Sequence, residues 1–160
     1  MPSKIVLECA AALASKGLKI AFIESATAGR MCSEFALSPH SGKILRGGLT
    51  CYEVFVKENI LHVPHELVEA HSPESAEVTQ ALGKGGVQLL ASDITVAVTG
   101  LIAPGGSETE EKPVGTMFLY LIFPQGHVSH KAIFTGSPES IILKTVDLTA
   151  QLILENLQEP

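Results

Sequence analysis

Aromatic side chains are scarce in this 160-residue chain, at 5% against a hydrophobic total of 46%. Its core must therefore come from Leu, Ile, Val and Ala. Basic residues are also few: 11 Lys and Arg stand against 17 Asp and Glu, a formal net charge of −6. That balance speaks against a nucleic-acid backbone as partner. Cysteine is limited to Cys9, Cys32 and Cys51. An odd count, wide spacing and no CxxC exclude a disulfide framework or a zinc site and suit a reducing cytosol. No basic segment leads into a long apolar run, so no signal peptide is expected, and no uncharged apolar stretch reaches spanning length. The expectation is a cytoplasmic protein with no membrane partner. Its length suits one domain, residues 1–160, large enough to bury its own core.

Hydrophobic spacing then sets the order of elements. Ile5, Val6, Cys9, Ala12 and Leu13 recur at helical intervals, with Gly17 as the C′ residue. Leu18 to Ile23 is a short apolar strand, followed by a helix over 28–37 and a loop at His40-Ser41-Gly42. Leu45 to Tyr52 reads as a strand in which Gly47-Gly48 marks a bend or a close backbone approach. Residues 54–60 are either the continuation of that strand or a short helix, and 64–70 are one or two helical turns. Ser72-Pro73-Glu74-Ser75 reads as a helix start with Pro in the first position, the helix running to about Leu90 despite Gly83, Gly85 and Gly86. Those glycines imply close packing or a local break. A strand over 93–99, a long loop over 100–112, a strand pair over 114–123 and 128–134, and a final helix from Ser137-Pro138 complete the chain. The fold class is α/β: a sandwich with a mixed sheet and helices on both faces.

Three segments carry chemistry, each after a strand: Glu24–Arg30, then Tyr52 with Lys57, then Thr99-Gly100 with the loop Pro104-Gly105-Gly106. The carboxyl ends of strands are where α/β folds hold substrates, so the three are expected at one rim of the sheet. A serine hydroxyl needs a neighbour to take its proton. None of the six histidines carries a motif. Lys57, set among Phe55, Val56 and Ile60, is either a buried amine able to act as base or a snorkelling surface lysine. Ser25 is either a nucleophile or a helix N-cap, and Thr27 suits the cap equally well. The Gly105-Gly106 loop matches neither a Walker A nor a GxGxxG pattern, and Glu108, Glu110 and Glu111 repel free phosphate. Its length favours a functional lid. His62 and His65 are separated by Pro64, which argues against a shared helix face and a metal.

Taken together, these motifs resemble the CinA C-terminal domain family, whose enzymes are nicotinamide-nucleotide amidases. The family's Glu-Ser-Cys-Thr-Gly-Gly appears as Glu24-Ser25-Ala26-Thr27-Ala28-Gly29. Its Gly-Gly near a Tyr, with Lys five places on, appears as Gly47-Gly48, Tyr52 and Lys57. Its third motif appears as Thr99-Gly100-Leu101-Ile102-Ala103-Pro104-Gly105-Gly106-Ser107 and Glu111-Lys112-Pro113-Val114-Gly115-Thr116. The resemblance runs in order over almost the whole chain. It implies a three-layer α/β/α sandwich standing as a single domain, a homo-oligomer with a dimer favoured, and no metal or cofactor. The implied reaction is hydrolysis of nicotinamide mononucleotide to nicotinic acid mononucleotide and ammonia. Ser25 would be the nucleophile, Lys57 its base, and Tyr52 a hydroxyl tuning or relaying between them. Glu24, Thr27, Gly29, Arg30, Thr99, Gly100, Gly105 and Gly106 would contact substrate, with backbone N–H groups of 26–29 or 100–106 receiving the oxyanion.

The departures are specific. Ala26 and Ala28 replace the family's Cys and first Gly, and Ala28 adds a Cβ where the backbone is expected either to approach a ligand closely or to adopt positive φ. Glu53-Val54-Phe55-Val56 replaces Ser-Asn-Glu-Ala, and Ser107 replaces a Gly. The family's arginines before the last helix give way to Gly136-Ser137-Pro138-Glu139-Ser140-Ile141-Ile142. Those arginines would clamp a mononucleotide phosphate; Arg30 and Arg46 are the available substitutes. Three readings follow: the mononucleotide amidase, a weak or inactive relative acting as a binding protein, and an amidase on a different, unphosphorylated amide.

Overall fold

A computed structural model describes residues 1–157. Its centre is β1 (Ile20–Glu24), every residue of which is buried. β1 lies between β2 (Leu45–Thr50) and β3 (Ile94–Gly100) and is parallel to both. β4 (Thr116–Phe123) and β5 (Gly126–Ile133) extend the sheet as an antiparallel hairpin closed at Pro124-Gln125, giving the order β2-β1-β3-β4-β5. The parallel strands all point their carboxyl ends to one rim.

The period of two along each strand sorts the core into two layers. Ile20 and Phe22 of β1, Ile94, Val96 and Val98 of β3, and Met117, Leu119 and Leu121 of β4 pack on one face. Opposite them are α1 (Lys4–Lys16), α2 (Arg30–Ala36) and α7 (Pro138–Leu157). Ile23, Ala97 and Tyr120 point the other way, toward α4 (Val54–Asn59), α5 (His65–His71) and α6 (Ala76–Leu90). The molecule is thus the expected three-layer sandwich. The β1–β2 connection passes over one face and the β2–β3 connection over the other, so the chain reverses direction at the β1/β3 rim. This is the topological switch point where such sheets open a crevice.

Local departures from the sequence reading have local causes. His40–Gly42 is not wholly loop, because Ser41–Ile44 closes a single helical turn, α3. Residues 54–60 take the helical alternative. α6 begins at Ala76, not at Pro73, because Ser75 is the N-cap and its hydroxyl accepts from the Val78 N–H at 3.2 Å. Ser72 instead terminates α5, and 72–74 form a link. Gly47 has φ 143 at the point where the β1–β2 register slips past Arg46, the bend; a Cβ on Gly48 would lie 2.9 Å from the Phe22 carbonyl oxygen, the close approach. The α6 glycines are packing residues in an unbroken helix. A Cβ at Gly86 would meet Ile23 at 2.5 Å, and one at Gly85 would meet the Leu61 carbonyl oxygen at 2.4 Å.

These contacts yield a test. Alanine is favoured over glycine in a helix interior by about 1 kcal/mol, yet Gly85→Ala is expected to destabilise by about 1–3 kcal/mol through overpacking. Urea unfolding measures it, and a gain in stability would show that α6 does not need to lie against the Leu61 backbone.

Candidate active site

Ser25 is the first residue beyond β1 and continues its ladder, donating its N–H to the Val98 carbonyl at 3.0 Å. Cys51 does the same on the other side, donating to the Glu24 carbonyl at 2.8 Å. The turn that follows is built by Glu24. Its buried carboxylate accepts from Thr27 Oγ1 at 2.6 Å, from the Met31 N–H at 2.8 Å and from the Cys32 N–H at 3.0 Å. A strand-end carboxylate therefore satisfies the orphan donors of α2 and complements its dipole. Neither Ser25 nor Thr27 caps the helix. The Ser25 hydroxyl is left for something else, and its partner is Lys57 Nζ at 2.9 Å.

α4 aims Lys57 inward. Its side chain is 2% exposed, and Nζ also donates to the Cys51 carbonyl at 2.7 Å and the Tyr52 carbonyl at 3.1 Å. Burial pulls the amine below the ordinary lysine range, with Cys51 and Glu74 opposing weakly. A neutral amine has two N–H donors and one lone pair. With Nζ–H groups on the two carbonyls, the neutral form has its lone pair free for the Ser25 hydroxyl proton, whereas the charged form donates its third N–H to Ser25 Oγ. The neighbouring Cys51 thiol, pushed up to about 11 by burial, stays protonated and is no competing nucleophile.

Ser25, Ala26, Tyr52, Glu74 and the backbone from Gly100 to Gly106 line a cavity of about 220 Å³. The structure thus brings Ser25, Tyr52, Gly100, Gly105 and Gly106 to one place, with Lys57 behind them. Tyr52 contributes differently from the sequence expectation. Its side chain is 64% exposed at the mouth, and its carbonyl, not its hydroxyl, holds Lys57. The direct contact between Ser25 and Lys57 leaves no gap for a relay. Glu24 and Thr27 are consumed in the turn. Gly29 stands at its end with φ 93, a conformation open to glycine. Thr99 is buried beneath the rim and bonds to Thr79 at 2.9 Å. Arg30 is tied to Glu34 at 2.7 Å and to Glu139 at 3.3 Å, and Arg46 reaches the Ala91 carbonyl; neither lines the cavity.

The loop after β3 is fixed by its own side chains. Lys112 Nζ donates to Ser72 Oγ, the Glu74 carbonyl and Ser107 Oγ at 2.7–2.9 Å. The Glu108 carboxylate accepts the Gly105 and Gly106 N–H groups, both at 2.8 Å, and these bonds hold its pKa below the usual carboxylate range. The amide of Ala28 donates to the Ser25 carbonyl. Among the described residues the N–H groups of Ala26, Ile102 and Ala103, all residues that line the cavity, have no acceptor; Ala26, next to Ser25, is one candidate oxyanion donor. Lys112 and Glu74 are not singled out as site residues by sequence, and Glu108 reads there only as part of an acidic loop that repels phosphate. Lys112 had a signal, its place in the Glu-Lys-Pro-Val-Gly-Thr motif; Glu74 read only as a first-turn acid. A broader groove of about 1100 Å³ between α6 and the β4–β5 turn holds no comparable nucleophile and base.

A buried lysine amine on a serine hydroxyl at the switch point of a mixed α/β/α sandwich defines the class: an α/β domain with a Ser–Lys site. The CinA C-terminal domain family model matches residues 3–157, and the chain belongs to that family. It is 35% identical over 147 residues to a CinA-like protein of Desulfotalea psychrophila, covering 92% of this chain and 34% of that protein. It is 41% identical over 111 residues to a CinA-like protein of Mycolicibacterium paratuberculosis, covering 69% of this chain and 25% of the relative. The chain therefore spans about a quarter to a third of the length of these curated relatives. Among solved structures, a CinA-superfamily protein from Klebsiella pneumoniae superposes with a TM-score of 0.90 at 25% identity, covering 96% of each chain. The competence/damage-inducible protein of Agrobacterium tumefaciens shares the fold, with a TM-score of 0.89, 24% identity and 99% coverage of each chain. No helix among the described residues is long and apolar enough to cross a membrane.

The same turn makes a second prediction. Ala28, the residue where the family has Gly, sits at φ 49. Left-handed backbone costs a non-glycine residue about 1–2 kcal/mol, while glycine adds unfolded-state entropy worth about 0.4–1 kcal/mol. Ala28→Gly is expected to stabilise by about 0.5–1 kcal/mol as the difference of these terms. A lower denaturation midpoint would show that the Ala28 methyl makes packing contacts outweighing its strain.

Proposed function

We propose that this domain is a metal-independent amidohydrolase that deamidates a pyridine carboxamide, with nicotinamide mononucleotide as the substrate type the family resemblance suggests. The observation that carries the reading is the 2.9 Å contact of buried Lys57 Nζ with Ser25 Oγ, two carbonyls holding the rest of the amine. Ser25 Oγ attacks the amide carbon as Lys57 takes its proton, and the developing oxyanion is received by the Ala26 N–H. Lys57 returns that proton to the departing nitrogen, releasing ammonia and leaving an ester on Ser25. Water, deprotonated by the same amine, then cleaves the ester to give the carboxylate and free Ser25. Tyr52 serves through its carbonyl and as a wall of the mouth. The domain works as a homo-oligomer, a dimer in the first instance; Tyr52, Phe55 and Ile60, exposed apolar side chains on and beside α4, support association.

Ammonia release by the purified protein tests the reading. Ser25→Ala is expected to lose about 10³-fold or more in kcat, because it removes the nucleophile. Lys57→Arg keeps charge and length but never deprotonates, and should lose as much. Since only the neutral amine can accept a proton, wild-type kcat/KM should rise with pH and fall away below a midpoint lying under the ordinary lysine value of about 10.4. No release from any pyridine carboxamide would leave a binding protein of this family in its place.

A further inference from the structure

The cavity's charge narrows the substrate class, an inference that rests on the amidohydrolase reading for its chemistry but not for its binding test. Among the described residues Glu74 is the one ionic residue lining the cavity; its carboxylate accepts from the Ser107 hydroxyl and forms no direct ion pair. The basic side chains nearby are already engaged. Lys57 is buried behind Ser25, Arg30 is held by two carboxylates, and Lys112 spends its donors on Ser72, Glu74 and Ser107. The adjacent amides of Gly105 and Gly106, which together form the natural cradle for an anion, are both bonded to Glu108.

Size decides where a substituent must go. About 220 Å³ is below the roughly 300–1,000 Å³ of pockets that enclose a drug-sized ligand. A pyridine ring and its carboxamide enter; the group on the ring nitrogen stays at the mouth, against the exposed stretch from Ala103 to Gly106. A phosphate there meets the Glu108 carboxylate and finds its amide cradle filled. A positively charged ring inside meets Glu74.

We propose that the site takes a primary carboxamide on a cationic ring that carries no phosphate, such as an N-ribosylated pyridinium carboxamide. Glu74 favours the positive ring, and Glu108 closes the loop amides to an anion. In this account Glu108 sets specificity by occupying the subsite that a phosphorylated substrate would need.

Calorimetric binding to Ser25→Ala is read with nicotinamide riboside, nicotinamide mononucleotide and nicotinamide as probes. The riboside is expected to bind about tenfold or more tightly than the mononucleotide. Glu74→Gln should weaken riboside binding about threefold or more, and Glu108→Ala should tighten mononucleotide binding by a similar factor. Mononucleotide binding equal to or tighter than riboside binding overturns the proposal, as does a preference unmoved by both substitutions. Ammonia release by the wild-type protein separates the two claims. Release that favours the mononucleotide overturns the charge preference and keeps the amidohydrolase. Charge-dependent binding with no release from any probe removes the amidohydrolase and keeps the charge preference.

Discussion

An ammonium group taken out of water without a carboxylate partner carries a desolvation penalty of several kcal/mol. Lys57 is in that position: it is 2% exposed, and its three partners are neutral oxygens. Burial favours the neutral amine, and the Ser25 hydroxyl is the one partner able to donate to it. The other two are carbonyls that can only accept. The protein holds a base and a nucleophile in contact at a place where burial lowers the pKa of the amine. Other features of the rim serve that constraint. Cys51 is pinned to the Glu24 carbonyl, so its own carbonyl stands where Lys57 can reach it.

The sheet supplies the rigidity. Ser25 is fixed by the ladder to β3 rather than by a loop, and the Glu24 carboxylate fixes the turn beyond it. α6 presses on the strand below through Gly86 against Ile23, so the floor of the site has little freedom to shift. The far wall, the loop after β3, is held by two side chains of its own, Lys112 and Glu108. A long loop of this kind is usually mobile. Here its cross-links make it a wall whose amides are already spoken for.

Much of this was legible in residue order. Strand ends followed by small polar residues placed Ser25, Tyr52–Lys57 and the glycine loop at one rim, and the parallel strands bring them there. Motifs in register identified the Ser–Lys pair before any geometry did. What could not be read was the partner of each side chain. Ser25 and Thr27 both looked like helix caps because caps are normally local; the cap comes from Glu24, at the end of the preceding strand. Tyr52 reads in the sequence for its hydroxyl; the atom that meets Lys57 is its carbonyl, which no side-chain pattern reveals. Ser72-Pro73 looked like a helix start, but Ser75 offered the better cap and Ser72 was free to meet Lys112. In each case a three-dimensional partner overrode a local preference; at Ala28, where sequence left a close ligand approach and a positive φ both open, the backbone has φ 49.

The central claim is that a neutral Lys57 makes Ser25 nucleophilic, and it can be tested without knowing the substrate. A fluorophosphonate reagent forms an adduct with an activated serine, and the mass of the modified chain reports the rate. The account predicts one adduct per chain, on Ser25, at a rate that rises with pH through a midpoint below about 10.4 and is lost in Lys57→Arg. Failure to label Ser25, or labelling that survives Lys57→Arg unchanged, would contradict it.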